Sequence, residues 1–120
     1  MTTREVAQQL VEFCKQGKAL EARSLYSKDV VSVEARVMQN GSRETIGLDG
    51  VLAKAHWSKA NNEVHSEKIE GPLVAGSHFC VHFTYDVTFR PTGVRNTLDE
   101  LGVYEVKDGK IVREEFFYPI

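Results

Sequence analysis

The sequence predicts an α+β domain: a conical barrel in which a curved, mostly antiparallel sheet wraps around an amphipathic helix, in the order α-α-β-α-β-β-β. Three observations predict it. Apolar residues recur at helical spacing near the N-terminus, the stretch His78 to Arg90 alternates strictly, and two further alternating runs flank Lys107-Asp108-Gly109.

Thr2 followed by Glu5 fits a capping box, and Val6, Leu10 and Phe13 then mark one face of a first helix that Gly17 stops. A short second helix is expected from Lys18 to Tyr26, carrying Ala19, Ala22, Leu25 and Tyr26. The β-branched run Asp29 to Ala35 reads as a strand, with Val30, Ser32 and Glu34 on one side and Val31, Val33 and Ala35 on the other. Met38 to Ile46 reads as a loop or short hairpin, and Leu48 to Ala60 as a helix with Leu48, Val51, Leu52 and Ala55 in a stripe. His56 and Trp57 flank that stripe. Weak alternation follows from Glu63 to Gly71, then Gly71-Pro72 and a second apolar stretch at Leu73 to Ala75.

In the clearest strand, Phe79, Val81, Phe83, Tyr85, Val87 and Phe89 alternate with His78, Cys80, His82, Thr84, Asp86 and Thr88. The last hairpin admits two registers. A two-residue Asp-Gly turn pairs Lys107 with Lys110, whereas a three-residue loop with a glycine bulge pairs Val106 with Lys110. The bulged loop is preferred, because it puts Glu100, Gly102, Tyr104 and Val106 on the same face as Val112, Glu114, Phe116 and Tyr118. Leu101, Val103, Ile111 and Phe117 then form an outer apolar patch, which predicts a homodimer.

The 120 residues make one domain, residues 1–120, without repeats or linkers. A net charge of −2 and a pI near 6.1 offer nothing to nucleic acid. The polar N-terminus argues against a signal peptide or membrane span, and Cys14 and Cys80 have neither metal spacing nor need of pairing, so the expected setting is the cytoplasm. His78, Cys80 and His82 are not expected to hold a metal: on a strand the two histidines lie about 13 Å apart. No glycine-rich phosphate loop or strained nucleophile turn is present, so nucleotide and acyl-enzyme chemistry drop out and no cofactor is expected.

With the preferred register the cavity face collects Glu34, Glu100, Glu114, Tyr85, Tyr104 and Tyr118 among Phe79, Phe83, Phe116 and Leu10, with Phe13 and Trp57 nearby. Clustered carboxylates in an apolar pocket lose hydration and repel one another, which raises a pKa toward the range useful for acid–base work. Tyrosine hydroxyls can steady an oxyanion. A small hydrophobic carbonyl compound is the expected ligand, for isomerisation, cyclisation or dehydration, with Glu34 as general base, Glu100 or Glu114 as acid or second carboxyl, and Tyr85 or Tyr104 steadying the oxyanion. Two other readings keep the same pocket: glutamates at a watery rim with no chemistry, or a non-catalytic ligand-binding or assembly module.

The element order, together with Glu100, Val103-Tyr104-Glu105-Val106, Asp108-Gly109-Lys110-Ile111 and Glu115-Phe116-Phe117-Tyr118, resembles the nuclear-transport-factor-2-like superfamily, and within it the SnoaL-like group. The resemblance covers essentially the whole chain. It implies a conical α+β barrel with a central cavity, often dimeric, in a superfamily that includes ketosteroid isomerase, polyketide cyclases and members without a catalytic role. Ketosteroid isomerase's general-base carboxylate falls on Glu34. Its oxyanion tyrosine falls on about Leu10 and its oxyanion aspartate on about Gly102, so both donors are missing, which argues against steroid isomerisation by that mechanism.

Overall fold

The first helix is set by its ends. In the computed structural model, which describes residues 1–120, α1 spans Thr3–Lys15, and Thr2 and Glu5 exchange side-chain to backbone hydrogen bonds in the capping box. Gly17, at φ +73°, ends it: its N–H donates to the Cys14 carbonyl and the Lys18 N–H to the Phe13 carbonyl, the reciprocal closure of a Schellman motif. Val6, Ala7, Leu10 and Val11 form the buried face.

The expected second helix is shorter and tighter. Only Glu21–Leu25 coil, as a 3₁₀ turn, and Tyr26 is already extended at φ −93°, ψ 143°. Ala22 and Leu25 bury three residues apart, the period of a 3₁₀ helix, and the chain must then enter β1, Tyr26–Val33. The Met38–Ile46 segment contributes a three-residue strand, β2, Glu44–Ile46, paired with Val31–Val33. Helix α2 spans Leu48–Asn61.

Strand β3, Asn62–Ala75, runs unbroken where the sequence shows only weak alternation. It is an edge strand, largely exposed on both sides, so it has little need of an apolar stripe, and it passes Gly71-Pro72 through a register shift. Strands β4, His78–Phe89, β5, Val94–Lys107, and β6, Lys110–Phe117, complete a six-stranded sheet in the order β2-β1-β6-β5-β4-β3. Every pairing is antiparallel except β1 with β6. Helix α1 packs against β3, β4 and β5, and α2 against β1, β2 and β3, so both helices contribute to one covered side. The core between them contains Val6, Leu10, Val51, Phe79, Val81, Phe83, Tyr104 and Ile111.

The β5–β6 hairpin corrects the preferred register. Lys107 pairs with Lys110 across a two-residue turn, with Asp108 at φ 52° and Gly109 at φ 75°. Two consecutive left-handed residues give the turn whose twist matches antiparallel strands, which is why Asp-Gly prevails over the longer loop. Val106 then pairs with Ile111 and Glu105 with Arg113, leaving Val112 as one extra residue. That bulge restores the parity that the shorter turn reverses. Glu100, Gly102, Tyr104, Glu114 and Phe116 therefore share a face as expected. Ile111 does not join the outer patch: it is fully buried beside Val106.

Candidate functional site

Three strands and a helix bring the glutamates together. Ser32 on β1 lies opposite Glu114 on the parallel neighbour β6, Glu100 on β5 lies opposite Phe83 on β4, and Glu34 follows β1 directly. Glu114 is completely buried. A carboxylate so placed must be bonded on both oxygens or it would cost several kcal/mol. Tyr26 donates its hydroxyl to one oxygen and Ser32 donates to the other at 2.6 Å.

The bonding continues outward from there. Lys54 Nζ on α2 donates to Ser32 Oγ at 2.6 Å and to Glu34 Oε2 at 3.0 Å, and the Tyr118 hydroxyl donates to Glu34 Oε1 at 3.1 Å. Tyr26, Glu114, Ser32, Lys54, Glu34 and Tyr118 thus form one unbroken chain of hydrogen bonds from the core to the rim. Lys54 also lies 5.7 Å over the Phe116 ring.

Glu100 stands apart from this chain. It has no hydrogen-bonded cation or hydroxyl, and its carboxyl is pushed up to about 7, first by burial, then by the negative charges of Glu34 and Glu114, against the opposing pull of Lys54. It borders a groove of about 480 Å³ at the edge of the outer face, whose other walls are His82, Asp99, Leu101, Phe117, Tyr118 and Pro119. A slightly larger depression of about 500 Å³, by Arg43, Arg113 and Glu115, is lined mostly by polar groups away from the three glutamates.

Aromatic rings floor the site. Tyr104 stacks on Phe79 at 4.7 Å and meets Phe116 edge-on at 6.3 Å, while Phe83 stacks on Tyr85 at 5.8 Å. Gly102 makes this possible, since a Cβ there would lie 2.9 Å from the Tyr104 hydroxyl oxygen and 3.2 Å from the Phe83 ring. Burial raises the pKa of both Tyr85 and Tyr104, so each keeps its proton at neutral pH and remains a donor. Nearby charges add to the rise: Glu100 at Tyr85, and Tyr26 and Glu114 at Tyr104.

Glu34, Glu100, Glu114, Tyr85, Tyr104, Phe83, Phe116 and Tyr118 thus gather in one region. Leu10 and Phe79 are buried core residues, and Phe13 packs partly buried against that core. Trp57 departs from expectation: it is 51% exposed and its ring meets only the Phe89 ring, at 6.2 Å, near the end of β4. His56 is likewise exposed. His78 and His82 occupy the outer face, where His82 sits between Glu70, at 3.2 Å, and Asp99, whose hydrogen bond raises its pKa. No group of three or more His, Cys, Asp or Glu side chains is gathered to hold a metal ion.

Sequence reasoning missed Lys54, Ser32 and Tyr26 as site residues. Lys54 was detectable as a charge three residues after Val51 on the inward stripe of α2, and Ser32 as the polar position between Val30 and Glu34. Tyr26 was hidden by its assignment to a helix end.

The model of the SnoaL-like domain family matches residues 1–118. Among solved structures, a candidate SnoaL-like polyketide cyclase, also labelled a carbohydrate phosphatase, from Mesorhizobium loti is 40% identical, over 98% of this chain and 100% of that one, with a TM-score of 0.91. A nuclear-transport-factor-2-like protein from Burkholderia thailandensis (16% identity, 99% and 92% covered, TM-score 0.84) shares the fold. So does a protein of ketosteroid-isomerase-like fold from Catenulispora acidiphila, in complex with trimethylamine (15% identity, 99% and 88% covered, TM-score 0.75). No curated protein matches the chain.

Proposed function

The chain belongs to the SnoaL-like domain family, and on that premise we propose that it catalyses cofactor-independent proton transfer on a small hydrophobic carbonyl compound: an isomerisation, cyclisation or dehydration. One observation carries this reading. Glu100 is a carboxyl without a hydrogen-bonding partner, pushed up to about 7 and set among aromatic rings. A base is most effective when its pKa lies near the working pH, because it is then both available and strong.

The residues divide the work accordingly. Glu100, ionised, takes a proton from the carbon next to the carbonyl, and the bonding pair moves toward oxygen to give an enolate. The hydroxyl of Tyr104 or Tyr85 donates to that oxygen, supplying what the leucine and glycine at positions 10 and 102 cannot. Glu100 then returns the proton at the same or another carbon. Sequence reasoning gave the base to Glu34, but both Glu34 oxygens are engaged, by Lys54 and Tyr118. Glu34 and Glu114 act instead through their charge, which keeps Glu100 basic. Proton transfer of this kind requires no electron carrier.

The proposal extends to assembly and setting. On the outer face Leu101 and Phe117 pair across β5 and β6 with Val103 two residues along β5, Leu73 lies beyond Cys80 in the next strands, and Leu73, Leu101 and Phe117 are exposed. That supports a homodimer through this face. No helix is long and apolar enough to cross a membrane, and Cys14 and Cys80 are free thiols, which supports a cytoplasmic setting.

The test is deuterium exchange at the α-carbon of cyclohexanone, 2-tetralone and a β-keto ester in D₂O, followed by NMR. Wild-type protein should accelerate exchange of at least one of these, with a rate rising through pH 7. Glu100→Gln should lose about 10²-fold or more. Equal exchange by wild type and Glu100→Gln, or none above buffer, would leave the non-catalytic binding module as the reading.

A further inference from the structure

We propose that an exposed apolar strip, leading away from Glu100 along the inner face of the sheet, holds the tail of the ligand, so that the substrate is a neutral carbonyl compound carrying an extended aliphatic chain. The substrate class rests on the proton-transfer reading above; the strip as a binding surface for an aliphatic chain does not.

The strip follows from register. Phe83 lies opposite Glu100, Tyr85 opposite Leu98, Val87 opposite Asn96 and Phe89 opposite Val94, and residues directly opposite share a face. On the other side of β4, Val64 of β3 lies opposite Val87. Phe83 belongs to the core, so all of these point to the inner side. Beyond Glu100 that side is apolar but uncovered: Leu98 is 43% exposed, Val94 51% and Val64 52%. Half-exposed Trp57 of α2 meets Phe89 there, and a hydrogen bond of 2.8 Å from the Arg90 N–H to the Asn61 carbonyl ties the end of α2 to the end of β4. Side chains on one face of a strand recur every second residue, about 6.6 Å, so Leu98 lies one step from Glu100 and Val94 three steps, about 20 Å away.

The shape and charge of the strip suit a single flexible chain rather than a protein surface. It starts at Glu100, runs on through Leu98, Val87, Phe89 and Trp57, and is narrow: Glu67, opposite Tyr85 on β3, and Asn96, between Leu98 and Val94 on β5, interrupt its margins. The inner positions of β3, β4 and β5 along it carry no lysine or arginine, while Glu67 and Glu100 are acidic, so an anionic tail gains nothing there. A methylene fully withdrawn from water is worth about fourfold in affinity, and one covered on a single side gains about half that free energy, about twofold. Leu98, Val64 and Trp57 therefore select for chain length without touching the reacting carbon.

The experiment uses the fluorescence of Trp57, the only tryptophan, with calorimetry beside it. The full chain is titrated with 2-pentanone, 2-heptanone, 2-nonanone and 2-undecanone. Affinity should rise about twofold per added methylene, and Trp57 emission should move to shorter wavelength with the two longest ketones and stay put with 2-pentanone. Leu98→Thr and Val64→Thr, at exposed strand positions, should each weaken 2-undecanone binding about threefold or more. Equal affinity across the series, no binding of any ketone, or 2-undecanone binding that both variants leave intact overturns the proposal. So does a change in the sedimentation of Leu98→Thr without a change in ketone affinity, which would make the strip a contact between copies. Glu100→Gln removes the base but not the strip and should keep the wild-type dependence on chain length, so a failure of proton exchange and a failure of the strip are read separately.

Discussion

Replacing Glu100 with Gln should make the protein more stable at pH 8 and leave it unchanged near pH 4. In the unfolded chain this carboxyl titrates at its ordinary 4.5, and in the folded chain at about 7. Below 4.5 both states hold the proton and the group does nothing to stability. Between 4.5 and about 7 the unfolded state releases its proton first, so stability falls as pH rises, and above 7 the full cost remains. The gap between the two values corresponds to roughly 3 kcal/mol, an upper figure because the groove at Glu100 admits water. For a domain of this size that is on the order of 10 °C in Tm. Urea unfolding of wild type and Glu100→Gln at pH 4, 6 and 8 measures it, the variant's advantage growing with pH. An advantage of the same size at all three values would mean that Glu100 is not desolvated in the folded protein, and the argument for its role as a base would fall with it.

Three further predictions follow from the same geometry. Gly102→Ala should destabilise by about 1–3 kcal/mol in urea unfolding, because the new methyl meets Tyr104 and Phe83 at 2.9 and 3.2 Å and neither ring is free to yield; wild-type stability would contradict the close approach. Lys54→Met removes the cation that restrains Glu100, so a carboxyl-carbon NMR titration should find Glu100 further above its ordinary value than in wild type, and a lower value would refute the assigned electrostatics. Phe117→Asp, on the outer face, should turn a dimer into a monomer in sedimentation at micromolar concentration, and a wild type that is itself monomeric would remove the dimer.

Much of this protein is legible without its tertiary structure. Thr2, Glu5 and Gly17 mark the ends of α1 because caps are local chemistry, and the alternation from Phe79 to Phe89 identifies β4 because a strand with one buried face must alternate. The shared face of Glu100, Tyr104, Glu114 and Phe116 is likewise a matter of parity along two strands. Where the sequence fell short, the deciding contacts were distant. Asp108-Gly109 closes a two-residue turn and Val112 absorbs the slip, two deviations whose sum is visible only in the paired strands. Strand β3 has almost no apolar signature because its status as a strand comes from pairing with β4. Lys54 is 20 residues from Glu34, and Ser32 is 82 from Glu114. The sequence by itself determined which residue types point into the cone; tertiary structure decided which carboxylates have partners. Glu34 and Glu114 are bonded and Glu100 is free because a hydrogen bond requires atoms within about 3 Å, and only the folded chain sets that distance.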